Sequence, residues 1–97
     1  MFDLSGKTAL VTGASGGIGA AIATALAQQG ARVALSGTRV EALEELGAVL
    51  PHNPLILPCD LSDSQAVETL IPSALQGFDG RLDILVNNAW RGKERDG

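Results

Sequence analysis

The run Thr12-Gly13-Ala14-Ser15-Gly16-Gly17-Ile18-Gly19 decides the fold of this chain. Ahead of it, residues 7–12 (Lys-Thr-Ala-Leu-Val-Thr) are short, apolar and β-branched, the pattern of a strand buried in a parallel sheet. Behind it, Ile18, Ala21, Ile22, Ala25 and Leu26 recur at helical spacing until Gly30. That spacing predicts a helix over 17–29 with those residues as its apolar face, rich enough in alanine to lie close to a sheet. A glycine-rich turn therefore joins a strand to a helix. Such a turn leaves free backbone N–H groups at the positive end of the helix dipole, where a phosphate is favoured. Glycine suits it because a Cβ would obstruct both the turn and the approach of a ligand.

Gly13, Gly17 and Gly19 are spaced G-x-x-x-G-x-G. This is neither the G-x-G-x-x-G of many dinucleotide domains nor a P-loop, since no Gly-Lys-Ser/Thr follows. On the glycines alone, a tight βα turn with no ligand stays open as an alternative.

Working outward, residues 32–36 (Arg-Val-Ala-Leu-Ser) form the second predicted strand. Val40, Leu43, Leu46 and Leu50 mark a second helix that Pro51 ends. Leu55, Ile56 and Leu57 form a third strand between Pro54 and Pro58, which assigns it to a sheet edge because proline donates nothing to a ladder. Ser62 with Gln65 fits a capping box opening a third helix, with Val67, Leu70, Ile71, Ala74, Leu75 and Phe78 as its apolar face. Pro72 is expected to kink or split that helix. Residues 82–86 form a fourth strand, and 91–97 are polar and unpatterned. The alternation βαβαβαβ predicts an α/β fold, a Rossmann-type parallel sheet with helices on both faces, truncated after the fourth strand and ordered 3-2-1-4.

Composition narrows the functions. The 97 residues carry a net charge of −4 with no basic stripe, so neither nucleic acid nor an anionic membrane is the expected partner. No apolar run is long enough to span a bilayer and no signal peptide is recognisable. The single cysteine, Cys59, suits a reducing cytoplasm and reads as a small buried hydrophobe. His52 reads as a solvated loop residue, and the alternating charges of 91–96 as a solvated tail.

The Thr-Gly-x-x-x-Gly-x-Gly form in its strand–helix context resembles the short-chain dehydrogenase/reductase family. Asn87-Asn88-Ala89, at the end of the fourth strand, resembles that family's Asn-Asn-Ala-Gly motif, with Trp90 in place of its glycine. The runs Leu-Ser-Gly-Thr-Arg-Val-Glu-Ala-Leu and Pro-Cys-Asp-Leu-Ser look closest to bacterial 3-oxoacyl-[acyl-carrier-protein] reductases. The resemblance spans Leu4 to Ala89. It implies a cofactor-binding half-domain over 1–89 followed by a polar tail of altered sequence over 90–97.

The site residues follow from the residues and the resemblance together. Gly13, Ser15, Gly16, Gly17, Ile18 and Gly19 form the phosphate turn. At the end of the second strand, an acid would hold the ribose 2′-hydroxyl of NAD. Here stand Gly37, Thr38 and Arg39, which favours NADP(H) because Arg39 is a cation and no carboxylate repels a 2′-phosphate. A solvated first-turn residue of the next helix is the alternative for Arg39. A hydroxyl at Thr38 resembles NADP-dependent members. The family's adenine contact carries over to Asp60 and Leu61, with a turn acid as the alternative for Asp60. The first amide of its Asn-Asn-Ala motif carries over to Asn87, with Ala89 beside it.

The resemblance also shows what these 97 residues lack. Family members run to roughly 250 residues as one domain. Their active site takes a Ser and a Tyr with a Lys four residues on, the Tyr protonating the alkoxide as hydride arrives and the Lys lowering its pKa. The sequence has no tyrosine, so no catalytic residue is assigned. The expectation is an amino-terminal piece that is inactive alone, from a homo-oligomeric family whose contact helices lie beyond it. A non-catalytic nucleotide-binding or interaction module and a non-functional fragment remain as alternatives.

Overall fold

The computed structural model describes residues 3–60 and 64–88. Seven elements follow in order: β1 (Thr8–Val11), α1 (Gly17–Gln28), β2 (Arg32–Leu35), α2 (Val40–Val49), β3 (Leu55–Ile56), α3 (Ser64–Gly77) and β4 (Ile84–Val86). The strands form one sheet in the order β3-β2-β1-β4 with every pairing parallel, as the alternation predicts. Leu10 lies level with Ala34 on one side and with Leu85 on the other.

Central β1 is buried along its whole length. Its side chains alternate between two apolar layers. Ala9, Val11, Val33 and Leu35 point to one face and meet Ala23 and Ala27 of α1 and Leu43 of α2, with Ile84 and Val86 packed alongside. Leu10 and Ala34 point to the other face and meet Leu70 and Ala74 of α3, Phe78 just after it, and Cys59.

Several expectations are corrected. The buried side of α1 is Gly19, Ala23 and Ala27, not the stripe through Ile18 and Ala21. Ile18 is 72% exposed. The helix is apolar nearly all round, so periodicity does not fix its inner face; the smallest side chains turn inward because they allow the closest approach to the sheet. Pro72 does not split α3, which continues through it as one helix. The missing N–H costs only the bond to the carbonyl four residues earlier, and Pro72 lies on the solvent side. Ile71 belongs to that side too, being 42% exposed. The fourth strand starts at Ile84 rather than at 82. The Asp83 carboxylate takes the Thr8 N–H at 2.9 Å, the Thr8 hydroxyl donates to the Arg81 carbonyl at 2.7 Å, and the Asp83 N–H donates to the Thr8 carbonyl at 3.1 Å, so side-chain bonds accompany a single backbone bond just ahead of the strand. The capping box at Ser62, like Leu61, Ala89 and Trp90, lies outside the described residues.

Candidate functional site

The carboxyl ends of β1, β2 and β4 bring the glycine turn, Thr38 and the Asn87-Asn88 pair to one edge of the sheet. Gly13 leaves β1 at φ 69°, a left-handed conformation that favours glycine. Its carbonyl accepts from Gly16 N–H at 3.1 Å, and Ala14 N–H donates to the Ser36 carbonyl at 2.8 Å, pinning the turn to β2. A Cβ on Gly19 would run into the Gly13 carbonyl and come within 2.9 Å of Asn88 Nδ2, so α1 crosses the turn as closely as backbone permits.

β4 is tied to the same turn. Thr12 N–H donates to the Val86 carbonyl at 3.0 Å, and the Thr12 hydroxyl lies 3.2 Å from that carbonyl and 3.3 Å from Asn87 Oδ1. Asn88 Nδ2 donates to the Gly13 carbonyl at 3.5 Å. Asn88 is a positioning residue that the resemblance, which points to the first amide, does not single out. The two adjacent amides divide the work because neighbouring residues of an extended chain face opposite ways.

At its amino terminus α1 lacks a side-chain cap and carries no acid in its first turn. Its first N–H groups have no partner within the helix, so the positive end of its dipole is uncompensated. Gly16, Gly17 and Ile18 are exposed there. A Cβ on Gly17 would meet nothing within 4 Å, and one on Gly16 would touch only the Gly13 carbonyl, at 3.7 Å. The two outer glycines thus differ from Gly13 and Gly19: the fold itself does not require them.

Beyond the turn, Thr38, Pro58, Cys59 and Asp60 line a cleft of about 410 Å³. Thr38 and Asp60, 22 positions apart in sequence, thereby share one cleft. Pro58 and Cys59 line it as well, although the sequence marked them only as an edge proline and a buried hydrophobe. Ser15 fills the space beside Gly37, where a Cβ would come within 2.7 Å of its Oγ. Arg39 stands exposed at the start of α2, accepting the Leu43 N–H on its carbonyl without capping the helix by its side chain. It does not line the cleft. Among the described residues no helix is long and apolar enough to cross a membrane.

A parallel βαβ sheet with a glycine turn, an uncapped helix terminus and a cleft at its carboxyl edge is the arrangement of a Rossmann-type fold. Residues 7–96 match the family model described as short chain dehydrogenase, and the chain belongs to that family. It is 48% identical over 89 residues to the 3-oxoacyl-[acyl-carrier-protein] reductase FabG of Rickettsia conorii, covering 92% of this chain and 35% of that protein. The 3-ketoacyl-(acyl-carrier-protein) reductase of Brucella melitensis, solved with NADH, superposes with a TM-score of 0.78 at 32% identity, over 86% of this chain and 34% of its own. Pseudomonas aeruginosa RhlG, solved with NADP, gives 0.79 at 41% identity over 91% and 36%. The chain thus spans about a third of the length of these relatives.

Proposed function

We propose that the chain is the NADP(H)-binding half of a short-chain oxidoreductase whose whole form reduces a 3-oxoacyl or similar carbonyl to a hydroxyl in the cytoplasm. The observation that carries this reading is the empty space over Gly17. Gly17 opens α1, and nothing inside the protein demands a glycine there. An approaching diphosphate supplies the missing reason, since a side chain would hold it off the helix N–H groups. Gly13, Ser15, Gly16, Gly17, Ile18 and Gly19 would hold that diphosphate. Thr38 and Arg39 would face the 2′-phosphate, Asp60 and Leu61 the adenine, and Asn87 and Ala89 the nicotinamide end. The bound cofactor supplies hydride; the chain supplies its grip and orientation.

The preference for NADP(H) rests on the residues after β2. No carboxylate stands at 37–39, and Arg39 can extend from an exposed position. The relatives' own complexes include both NADH and NADP.

Calorimetric titration tests the reading. NADP is expected to bind more tightly than NAD, and Gly17→Val to weaken NADP by at least about tenfold, or 1.4 kcal/mol, while circular dichroism stays unchanged. Unchanged affinity in the folded variant would make the turn purely structural. Tighter NAD than NADP would overturn the cofactor assignment. Thr38→Asp is the variant of choice for reversing the preference, because a side chain at Gly37 would collide with Ser15. The 97-residue polypeptide, which has no tyrosine, is expected to give no NADPH oxidation with an acyl thioester, since proton donation alone contributes about 10²–10⁴-fold.

A further inference from the structure

The opposite edge of the sheet holds a second concentration of chemistry. Lys7, Arg32 and His52, with Gly6, Gly30 and Asn53, line a cleft of about 480 Å³ at the amino ends of β1, β2 and β3. We propose that this cleft binds a phosphate group, independently of the glycine turn.

Charge is the first ground. Five Lys, Arg and His side chains fall among the described residues: Lys7, Arg32, Arg39, His52 and Arg81. Three of them line this cleft, in a chain whose net charge is −4. No Asp or Glu lines the cleft. The ion pair found among the described residues is Arg81 with Asp83, so neither Lys7 nor Arg32 has a carboxylate partner there. Asp83 approaches from the β4 side through the Thr8 N–H, and Arg81 already neutralises it.

Preorganisation is the second. Arg32 Nε donates to the Asn53 carbonyl at 2.8 Å, Nη1 donates to the Gly77 carbonyl at 3.4 Å, and the guanidinium lies 5.4 Å from the Phe78 ring centroid. Two of its five N–H donors are spent and three remain. A guanidinium already fixed in place loses little freedom on binding an oxyanion, and its planar fork suits two oxygens of one phosphate. The third ground is the loop between α2 and β3. His52 and Asn53 are consecutive non-glycine residues at φ 70° and 58°. Such left-handed pairs persist where the surroundings impose them, commonly at ligand sites. Here the bond from Arg32 to the Asn53 carbonyl anchors the loop and sets His52 at the rim. A guanidinium, an ammonium and an imidazole on the residues lining one cleft can together offer several donors to the oxygens of a phosphate.

Amide NMR titration of the 97-residue chain at low salt tests this, with inorganic phosphate in one series, glycerol 3-phosphate in a second and chloride at matched ionic strength in a third. Saturable shifts at Lys7, Thr8, Arg32 and Asn53 are expected with phosphate and absent with chloride. Lys7→Gln is expected to weaken them about threefold to fivefold, and Arg32→Lys, which keeps the charge but loses the fork, at least as much. Tighter glycerol 3-phosphate identifies a phosphate ester as the ligand, and equal affinity identifies free phosphate. Shifts confined to residues 13–18, shifts reproduced by chloride, or shifts indifferent to Lys7→Gln would each overturn the proposal. Because these amides lie at the opposite edge, failure here leaves the dinucleotide reading standing, and the reverse also holds.

Discussion

On one face of the sheet, Ala9, Val11, Val33 and Leu35 lie beneath two helices and are sealed from solvent. On the other, Leu10 and Ala34 lie beneath α3, and Leu85, level with Leu10 in the neighbouring strand, is 51% exposed. The same strands feed both layers, so the difference comes from the cover and not from strand chemistry. Parallel sheets are ordinarily covered on both faces. The second layer thins out towards β4, and local opening is expected to begin there.

The contrast can be broken at its strongest point first. Leu43→Ala removes a fully buried side chain of α2 from the sealed face and should cost about 2–5 kcal/mol in urea unfolding. A cost as small as that of a surface change would mean that this layer is loosely packed. The glycine turn repeats the contrast on a smaller scale. Gly19→Ala pushes a Cβ into the Gly13 carbonyl and should destabilise by about 1–3 kcal/mol. Gly17→Ala enters open space and should be neutral or stabilising by up to about 1 kcal/mol. Equal effects on thermal melting would erase the distinction between inner and outer glycines.

Acid should loosen the thin side selectively. Hydrogen bonding from the Thr8 N–H, then from Arg81, holds the Asp83 carboxyl below its ordinary 3.8. A folded-state pKa lower than the unfolded one contributes stability above the unfolded value and loses it as pH falls through the lowered one. Exchange at Ile84–Val86 should therefore accelerate relative to β2 as pH drops below about 4, and Asp83→Asn should remove that dependence. The smallest effect is expected from Leu85→Lys, within about 0.5 kcal/mol. An apolar edge invites pairing with another chain, so this variant should sediment as a smaller species than the parent if β4 drives self-association. Unchanged sedimentation would show that the edge is covered in another way.

Much of this was legible in the sequence. Strand order and the edge position of β3 followed from the βα alternation and from Pro54 and Pro58. Thr38 and Asp60 were read separately as cofactor residues, and the structure puts both on one cleft. What escaped was orientation. The inner face of α1 could not be read because almost every position is apolar, so alanine size and not hydrophobicity chose it. The side-chain bond of Asp83 to Thr8, which sits just ahead of the shorter β4, joins residues 75 positions apart. The separate parts played by Asn87 and Asn88 depend on which way each amide faces, a matter of pleat and not of composition.

The bonds from Thr12 to Val86 and from Asn88, just past β4, to Gly13 make the least covered strand part of the wall of the glycine turn. Occupancy of the turn and docking of β4 are then thermodynamically linked: whatever binds only the docked form must also favour docking. A ligand at 100 times its dissociation constant adds about 2.7 kcal/mol to the form it selects. A small molecule at one end of the sheet can in this way act as a chaperone for the strand at its margin, and exchange protection at Leu85 would report on a ligand that Leu85 need never touch.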